Sequence, residues 1–444
     1  MAKSKLKPFH LAQFLVHGPT YHSVAMWRHP KTDHENYDWR RPQLYQHIAR
    51  VCERGGFDMV FFADLNYISD TFTGAMDPAL RNATQAPEHD PIPLLSYMAA
   101  VTEKIGVAAT FSVSHSHPFY VARMFASIDH LTDGRAGWNV VTSINHNLDN
   151  NYGAERLPAD LRYDRAHEFI EACRALWSSW DEDAVVMDKA NAVFADPAKV
   201  HRVNFQGDFF RTRGPLNVTR SPQGMPAILQ AGTSPKGRDF AAKYSDAIFA
   251  IQPRAEDAGE YLRSIKERMR ELGRDPNACK ILFGAQPIIG RDEADARAKQ
   301  QEHNDLVPLE GGKAILSGHL DFDLSNIPDD AVMLEREEPE LARMRTRYRD
   351  KDGRPLTMAE AAKRHGQSVG LPQIVGTAKS VADQLEEFMA MAGGDGFMLS
   401  PIYCPGAIEE FVEEVVPILQ KRGLVRTEYT GRTLKDHLTQ FDGA

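Results

Sequence analysis

The chain has 444 residues, of which 42% are hydrophobic and 25% charged, a composition typical of globular proteins with a large core. Its 52 lysines and arginines against 61 aspartates and glutamates give a net charge of −9, which argues against binding to nucleic-acid phosphates. No apolar run approaches the roughly 20 residues of a membrane span, and four scattered cysteines without a CxxC pair argue against a disulfide framework or a zinc–cysteine site.

The first 18 residues, MAKSKLKPFHLAQFLVHG, are basic, but their apolar stretch is short and is interrupted by Gln13 and His17. Because they also lack a small-residue cleavage site, we expect a first strand here and not a signal peptide. Together with the unpaired cysteines, this predicts a protein of the reducing cytoplasm.

Strand-like apolar runs alternate with helical patterns along the chain. The runs occupy residues 9–16, 57–64, 105–114, 134–147, 226–232, 246–252, 279–290 and 395–403. The helical patterns occupy residues 43–56, 93–104, 118–134, 162–180, 234–245, 258–273 and 407–423. Strands separated by helices pair in parallel, and eight is the number that closes a barrel. An open doubly wound sheet is the alternative, but no GxGxxG follows the first strand, so we favour an eight-stranded α/β barrel spanning 1–444 as one domain.

Three segments interrupt this alternation. Residues 17–40 are rich in His, Tyr and Trp, residues 181–225 contain a hairpin pattern with its turn at Gly207–Asp208, and residues 305–370 carry charge, Gly and Pro. Long insertions in barrels lie mostly on strand-to-helix loops around the active face. We therefore expect these three segments to be lids.

Polar side chains collect where the predicted strands end, at the face that carries the active site in barrels. They are His17, Asp64, Thr110, Asn139 and Ser234. The chain has no GxSxG motif and few nucleophiles beside a base, so the set fits a polar aromatic cofactor better than hydrolysis. Asp64, which closes an apolar run, is equally consistent with a structural carboxylate.

The stretch QAGTSPKGRDF combines a strand end at Gly232 with a helix start at Ser234 and Pro235. The exposed N–H groups and the dipole of such a helix start attract an anion, and glycine permits a close approach. The alternative is a simple serine cap with proline in the first turn.

His115 and His117 follow the third run at a spacing that suits a metal, although further ligands and an HExxH motif are not evident. The alternative is that they line the start of the helix at Pro118. Tyr163 and Arg165 open another helix, where an arginine meets either an anion or solvent.

Four stretches carry a resemblance to a known family. They are FDMVFFAD (57–64), GRAGWNVVTSINHNLDNNYG (134–153), RYDRAHEFIEACRALWSSW (162–180) and FQGDFFRTRGPLNVTRSPQGMPAILQAGTSPKGRDFAAKYSDAIF (205–249). The chain resembles the nitrilotriacetate monooxygenase component A family over nearly its whole length. That family includes dibenzothiophene sulfone, EDTA and pristinamycin-synthesis monooxygenases, within the bacterial luciferase-like superfamily.

The resemblance implies a luciferase-like (β/α)8 TIM barrel that uses reduced FMN (FMNH2), delivered by a separate NAD(P)H-dependent flavin reductase. O2 adds to the flavin, and the oxygenated flavin attacks a small organic substrate, typically cleaving a C–N, C–S or C–halogen bond. The resemblance also implies a homo-oligomer, a dimer or a tetramer.

The resemblance further implies a set of FMN contacts. They are Asp64 and Thr110 beside the isoalloxazine, Asn139 on the fourth strand, Tyr163 at a helix start, and Gly232 and Ser234 at the phosphate. His17 and His115 are the candidates for shaping the oxygenation step, although either is equally a structural histidine. Related sequences often have His where this chain has Ala159, which suggests weaker flavin binding.

Two other functions remain as alternatives. One is a metal-dependent barrel hydrolase that uses His115 and His117. The other is a non-catalytic flavin-binding protein.

Overall fold

The computed structural model describes residues 6–143, 145–232, 234–342, 348–350 and 353–442, without the side chains of Ala159, Asp160 and Ala342. The strands are β1 (His10–Val16), β2 (Met59–Ala63), β3 (Gly106–Ser112), β4 (Ala136–Val141), β5 (Val185–Asp188), β6 (Val193–Ala195), β7 (Phe205–Gln206), β8 (Arg211–Thr212), β9 (Ala227–Gln230), β10 (Ala247–Ala250), β11 (Lys280–Ile289), β12 (Gln373–Gly376) and β13 (Gly396–Leu399).

Eight of these strands close a parallel barrel in the order β1–β2–β3–β4–β9–β10–β11–β13, with β13 pairing back to β1. They coincide with the eight apolar runs of the sequence, so the predicted TIM barrel is confirmed. Strand β12 pairs in parallel with the carboxyl-terminal part of β11, beginning where Gln286 pairs with Gln373.

The helices surround the barrel and fill its connections. They are α1 (Pro42–Arg54), α2 (Asp77–Arg81), α3 (Ile92–Ala99), α4 (Pro118–Leu131), α5 (His146–Asn151), α6 (Ala159–Trp177), α7 (Pro235–Tyr244), α8 (Ala255–Glu271), α9 (Glu293–Asp305), α10 (Leu309–Leu320), α11 (Pro339–Ala342), α12 (Met358–Ser368), α13 (Ala378–Ala392), α14 (Gly406–Glu410), α15 (Val416–Lys421) and α16 (Leu434–Thr439). A π-helical turn, Phe411–Val415, joins α14 to α15. Within the described ranges, no helix has the length and apolarity needed to cross a bilayer.

Aromatic rings fill the interior of the barrel. Phe14 of β1 lies 5.9 Å from both Phe61 of β2 and Phe249 of β10, measured between ring centroids. Because β13 and β11 separate β1 from β10 in the sheet, rings on these two strands can meet only inside the barrel. Side chains alternate in direction along a strand, so Trp138 of β4 points the other way and stacks on Phe125 of α4 at 5.2 Å.

Two of the three insertions leave the barrel at the carboxyl ends of strands. Residues 17–40 connect β1 to α1, and residues 305–370 lie between β11 and α13. Residues 181–225 instead connect α6 to β9, so they do not form a strand-to-helix loop, contrary to expectation. Their predicted hairpin forms as β7–β8 and packs on α6, where Glu168 accepts hydrogen bonds from the N–H groups of residues 208–210.

Candidate functional site

Thr110 and Asn139 form a buried polar pair on adjacent strands inside the barrel mouth. They are direct partners in the β3–β4 register. Asn139 Nδ2 donates to Thr110 Oγ1 at 2.8 Å, and the Thr110 hydroxyl donates to the Phe62 carbonyl at 2.8 Å. Asn139 Oδ1 is buried and has no hydrogen-bond partner within the described residues. Buried polar atoms are nearly always bonded, so this amide oxygen is suited to accept from a ligand N–H.

Asp64 lies directly after β2, next to a second carboxyl group that the sequence did not point to. Burial, followed by the charge of Asp90, raises the pKa of Asp64 to about 7. Burial and the charge of Asp64 also raise the pKa of Glu88 well above its ordinary value, although Glu88 Oε2 accepts from the Leu65 N–H at 3.0 Å. The edge of the site at β2 therefore holds two carboxyl groups that stay protonated to unusually high pH.

Tyr163, Gly232 and Ser234 converge on the amino terminus of α7. Ser234 caps this helix by accepting the N–H of Gly237 at 3.1 Å. A Cβ atom at Gly237 would lie 2.6 Å from Tyr163 Oη, 3.1 Å from Ser234 Oγ and 3.3 Å from the Cα of Gly232. The two hydroxyls thus flank Gly237 at a helix start, where the helix dipole favours an anion. We call this group of residues the cradle, a candidate phosphate site. Thr233, between them, lies outside the described residues.

Ala159 begins helix α6, but its side chain is outside the described part of the structure, so the weaker flavin binding expected from Ala159 stays a prediction. In the following turn, Arg162 donates to the Ser143 carbonyl at 3.3 Å and Arg165 donates to the Val113 carbonyl. Both arginines line a cavity of about 400 Å³ beside the ends of β3 and β4.

His17 packs under the loop that follows α2. Its Nδ1 lies 2.9 Å from the Asp90 carbonyl, and its ring lies against Tyr45 and His89. Burial lowers the pKa of His17, with a smaller upward contribution from the Asp90 hydrogen bond. Nε2 of His17 is buried and has no partner among the described residues, so this nitrogen could bond a ligand.

His115 lies on the other side of the mouth and, in the part of the chain that the structure describes, shares no hydrogen-bond partner with His17. Its Nε2 lies 2.9 Å from Asp149 Oδ1, and its ring stacks on Tyr152 at 4.8 Å. His117 instead caps α4 by accepting the Phe119 N–H at 3.2 Å. Among the described residues, no group of three His, Cys, Asp or Glu side chains is arranged to hold a metal. His115 thus bonds Asp149 and His117 caps α4, whereas the hydrolase alternative requires the two side chains to bind one metal together.

Another histidine at the mouth, His22, was not singled out from the sequence. It stacks on Phe14 at 3.6 Å and is buried, although it belongs to the 17–40 insertion. The only signal for it was the density of aromatic residues in that segment.

The insertion between β11 and α13 is fastened at the mouth by a histidine of the polar tail that follows β4. His146, at the start of α5, lies 2.6 Å from Asp321 Oδ1 through Nδ1 and 3.2 Å from Asp70 Oδ1 through Nε2. Arg156 also donates to Asp321 at 2.7 Å. Asp321 ends α10, so α10 is tied to the loops that follow β2 and β4; we call this contact set the latch. Asn145 strengthens the latch by donating to the Gly318 carbonyl of α10 at 3.2 Å.

These residues fit FMN chemically. The cradle at α7 matches a phosphate, the free oxygen of Asn139 matches a ring N–H, and the aromatic interior lies beneath them. The carboxyl ends of the strands thus offer both polar ends of a flavin mononucleotide a partner.

Comparison with known proteins places the chain in a family. The model of the luciferase-like monooxygenase family matches residues 20–396. Dibenzothiophene-sulfone monooxygenase of Rhodococcus erythropolis (strain XP) is 43% identical over 442 residues, which covers 97% of this chain and 96% of the relative. N-acetyl-S-(2-succino)cysteine monooxygenase of Bacillus subtilis (strain 168) is 40% identical and covers 98% and 97%.

A solved structure agrees with this placement. The crystal structure of DmoA from Hyphomicrobium sulfonivorans superposes with a TM-score of 0.91 at 32% identity, covering 97% of this chain and 92% of that chain. The family resemblance of the sequence is therefore confirmed. The chain belongs to the luciferase-like monooxygenase family and is a flavin-dependent oxidoreductase.

Proposed function

We propose that this enzyme uses reduced FMN and O2 to oxygenate a small organic substrate, with cleavage of a C–N, C–S or C–halogen bond. The observation that carries the proposal is the convergence of Tyr163, Gly232 and Ser234 around Gly237 at the start of α7. A flavin phosphate bound there would place the ring toward Thr110 and Asn139.

The names of relatives support the cofactor and a separate reductase. One relative is component A of nitrilotriacetate monooxygenase from Aminobacter aminovorans, and the chain matches both subunits of pristinamycin IIA synthase from Streptomyces pristinaespiralis. A structurally similar riboflavin lyase was solved with a modified FMN. We propose that an NAD(P)H-dependent flavin reductase supplies reduced FMN to this chain, and that the chain forms a homo-oligomer, a dimer or a tetramer.

In this proposal the protein binds and orients the cofactor and excludes water. Bound reduced flavin supplies the electrons that activate O2. Ser234, Tyr163 and the α7 dipole hold the phosphate, and Asn139 Oδ1 accepts a ring N–H. The protonated Asp64 avoids placing a second negative charge beside a reduced, electron-rich ring. The latch would keep α10 over the mouth and so limit the access of water to a bound flavin.

We further propose that His17 and His115 shape the oxygenation step. His17 has a buried nitrogen without a partner in the described structure, and His115 is oriented by Asp149. Replacement of both by alanine should release more hydrogen peroxide per reduced FMN consumed. Unchanged turnover and unchanged coupling in the double variant would contradict this role.

The test of the proposed function is oxygen uptake with reduced FMN generated by an unrelated reductase. A panel of an aryl sulfone, an amino polycarboxylate and a haloaromatic compound, supplied with ¹⁸O₂, should yield one product that carries a single ¹⁸O atom. Ser234→Gly is assayed in parallel as a control. It removes the hydroxyl proposed to hold the phosphate but costs the helix cap only a few tenths of a kcal/mol, so a loss of FMN binding in this variant would not reflect loss of the helix. If wild-type protein neither binds FMN nor labels any substrate, the proposal is wrong.

A further inference from the structure

His22 reaches the upper end of the barrel interior. Its ring stacks on Phe14 with an interplanar angle of 24° and lies 5.8 Å from Phe249, and its side chain is 7% exposed. Phe14 and Phe249 both point into the barrel, and His22 arrives from the loop that follows β1. The imidazole therefore covers the phenylalanine layer from the side on which ligands enter.

His22 keeps a nitrogen where an apolar ring would pack as well. Nδ1 is buried and has no hydrogen-bond partner in the described ranges of the chain. Burial, followed by the charge of His319, lowers the pKa of His22 to about 3, so the ring is neutral and carries one donor and one acceptor nitrogen. A buried polar atom without a protein partner is explained by a ligand that supplies one.

The strand register shows that Phe14, which His22 covers, and the predicted flavin contacts face the same side of the sheet. Phe14 pairs with Phe61, Phe61 with Ala108, and Ala108 with Gly137, so these four positions face the barrel interior. Thr110 and Asn139 lie two residues further along β3 and β4, toward the carboxyl ends, and face the interior as well. His22 over β1 and Asn139 on β4 therefore both face the interior, from strands that β2 and β3 separate.

Helix α10 of the 305–370 insertion also lies beside His22. His319 of α10 is the titratable neighbour of His22, and its Nδ1 lies 2.8 Å from His365 Nε2 of α12. The 17–40 segment and the 305–370 segment thus meet at His22, at the end of the phenylalanine layer from which ligands enter.

We propose that His22 is a second contact to the flavin ring, opposite Asn139. Its imidazole bonds a ring heteroatom through Nδ1, while stacking on Phe14 holds the imidazole in place. The inference rests on the proposed function and adds to it a residue from the insertion. The binding site is therefore completed only when the 17–40 segment is folded against the barrel.

The test compares His22→Phe, which keeps the stacked ring but loses both nitrogens, with His22→Asn, which keeps a polar group near the position of Nδ1. The full-length protein is titrated with oxidised FMN by quenching of flavin fluorescence, and Tm is measured in parallel. His22→Phe should raise the Kd for FMN at least tenfold with Tm unchanged or higher, and His22→Asn should recover most of the affinity. His29→Phe is the matched control, because His29 stacks on Tyr403 at 4.7 Å elsewhere in the same segment and should leave the Kd unchanged.

A Kd of His22→Phe within twofold of wild type overturns the inference and leaves the proposed function standing. A wild-type protein that binds no FMN overturns both. If His22→Phe does not fold, His22→Asn is compared with His22→Leu, and equal Kd values for these two variants overturn the inference.

Discussion

Adjacent residues of one strand serve the core and the candidate site in this protein. Trp138 of β4 packs outward on Phe125, Phe169 and Trp177 of the helices. Asn139 points inward, and its amide oxygen has no hydrogen-bond partner among the described residues. The twofold period of a strand requires this separation. Because Trp138 is locked between two helices, it fixes the direction in which Asn139 points, and so the position of its oxygen.

The raised pKa of Asp64 predicts that the free energy of unfolding depends on pH in an unusual way. Its pKa is raised to about 7 in the folded protein, whereas an unfolded aspartate titrates near 4. Between these two values the unfolded state binds fewer protons, so Asp64 makes the folded state progressively less stable as pH rises to about 7, and no further above it. Asp64→Asn cannot ionise, so its stability relative to wild type should rise by roughly 1–2 kcal/mol from pH 4 to 7 and then level off.

Urea unfolding of wild type and Asp64→Asn at pH 5, 6, 7 and 8 measures this difference. A constant difference at all four values would show that Asp64 titrates normally.

At the scale of elements, the start of helix α7 performs two tasks. Ser234 caps the helix, and the missing side chain of Gly237 leaves room between Tyr163 and the cap. A glycine inside a helix costs about 1 kcal/mol relative to alanine. The position therefore gives up helix stability, and the tyrosine hydroxyl occupies the place that a side chain would take.

Gly237→Ala should change helix stability and ligand binding in opposite directions. The added methyl group would lie 2.6 Å from Tyr163 Oη, so the Kd for FMN should rise at least tenfold. The free-protein Tm should stay level or increase, because alanine favours the helix and a tyrosine end can move aside. Fluorescence titration and calorimetry test the two effects, and an unchanged Kd would exclude a phosphate at this helix start.

At the scale of the whole molecule, the amino end of the barrel is closed by the C-terminal segment. Asp58, fully buried before β2, bonds His10 Nδ1 at 2.8 Å and the Leu11 N–H at 3.0 Å, and pairs with Arg426. Burial alone would raise the pKa of Asp58, but the charges of Arg426 and His10 hold it below its ordinary value. The segment that follows α15 is thus part of the folded barrel.

Arg426→Met should destabilise the protein by about 3–5 kcal/mol, because it leaves the Asp58 carboxylate buried and unpaired. The control is Arg432→Met, which removes an exposed pair with Asp133 in the same segment and should leave the urea midpoint unchanged. Equal effects of the two substitutions would contradict a structural role for the buried pair.

The latch at the opposite end of the molecule should weaken with rising pH. Burial alone would lower the pKa of His146, but its hydrogen bonds to Asp321 and Asp70 together raise it above the ordinary 6.5. The protonated form is favoured in the folded protein, so the contribution is full below pH 6.5 and is lost as pH rises through the folded pKa. Asp321, Asp70 and the nearby Arg156 are the charges that face the ring.

Hydrogen exchange of α10 measures this effect. Protection of α10, corrected for intrinsic exchange rates, should fall from pH 6 to pH 8.5 in wild type and should be low and independent of pH in His146→Leu. Parallel pH profiles in the two proteins would show that His146 does not fasten the insertion.

The sequence was sufficient for the barrel because each buried parallel strand appears as a continuous apolar run, readable from neighbouring residues alone. It was insufficient between residues 290 and 377, where helices α9, α10 and α12 and strand β12 form by packing against each other. Helix α13 was also missed. The hairpin at Gly207–Asp208 was found from its turn residues, but its place on the outside of α6 depends on Glu168, which is about 40 residues away.

By itself, the sequence determined the order and direction of the eight strands, and with its family resemblance the class of chemistry, because both reside in short stretches. Only the tertiary structure decided that Gly237 lies beside Tyr163 Oη, that Asp64 lies near Glu88, that His22 stacks on Phe14 and that His146 contacts Asp321. Each of these features is a contact between residues that are far apart in the chain. Their distances and their burial are therefore set only when the barrel closes.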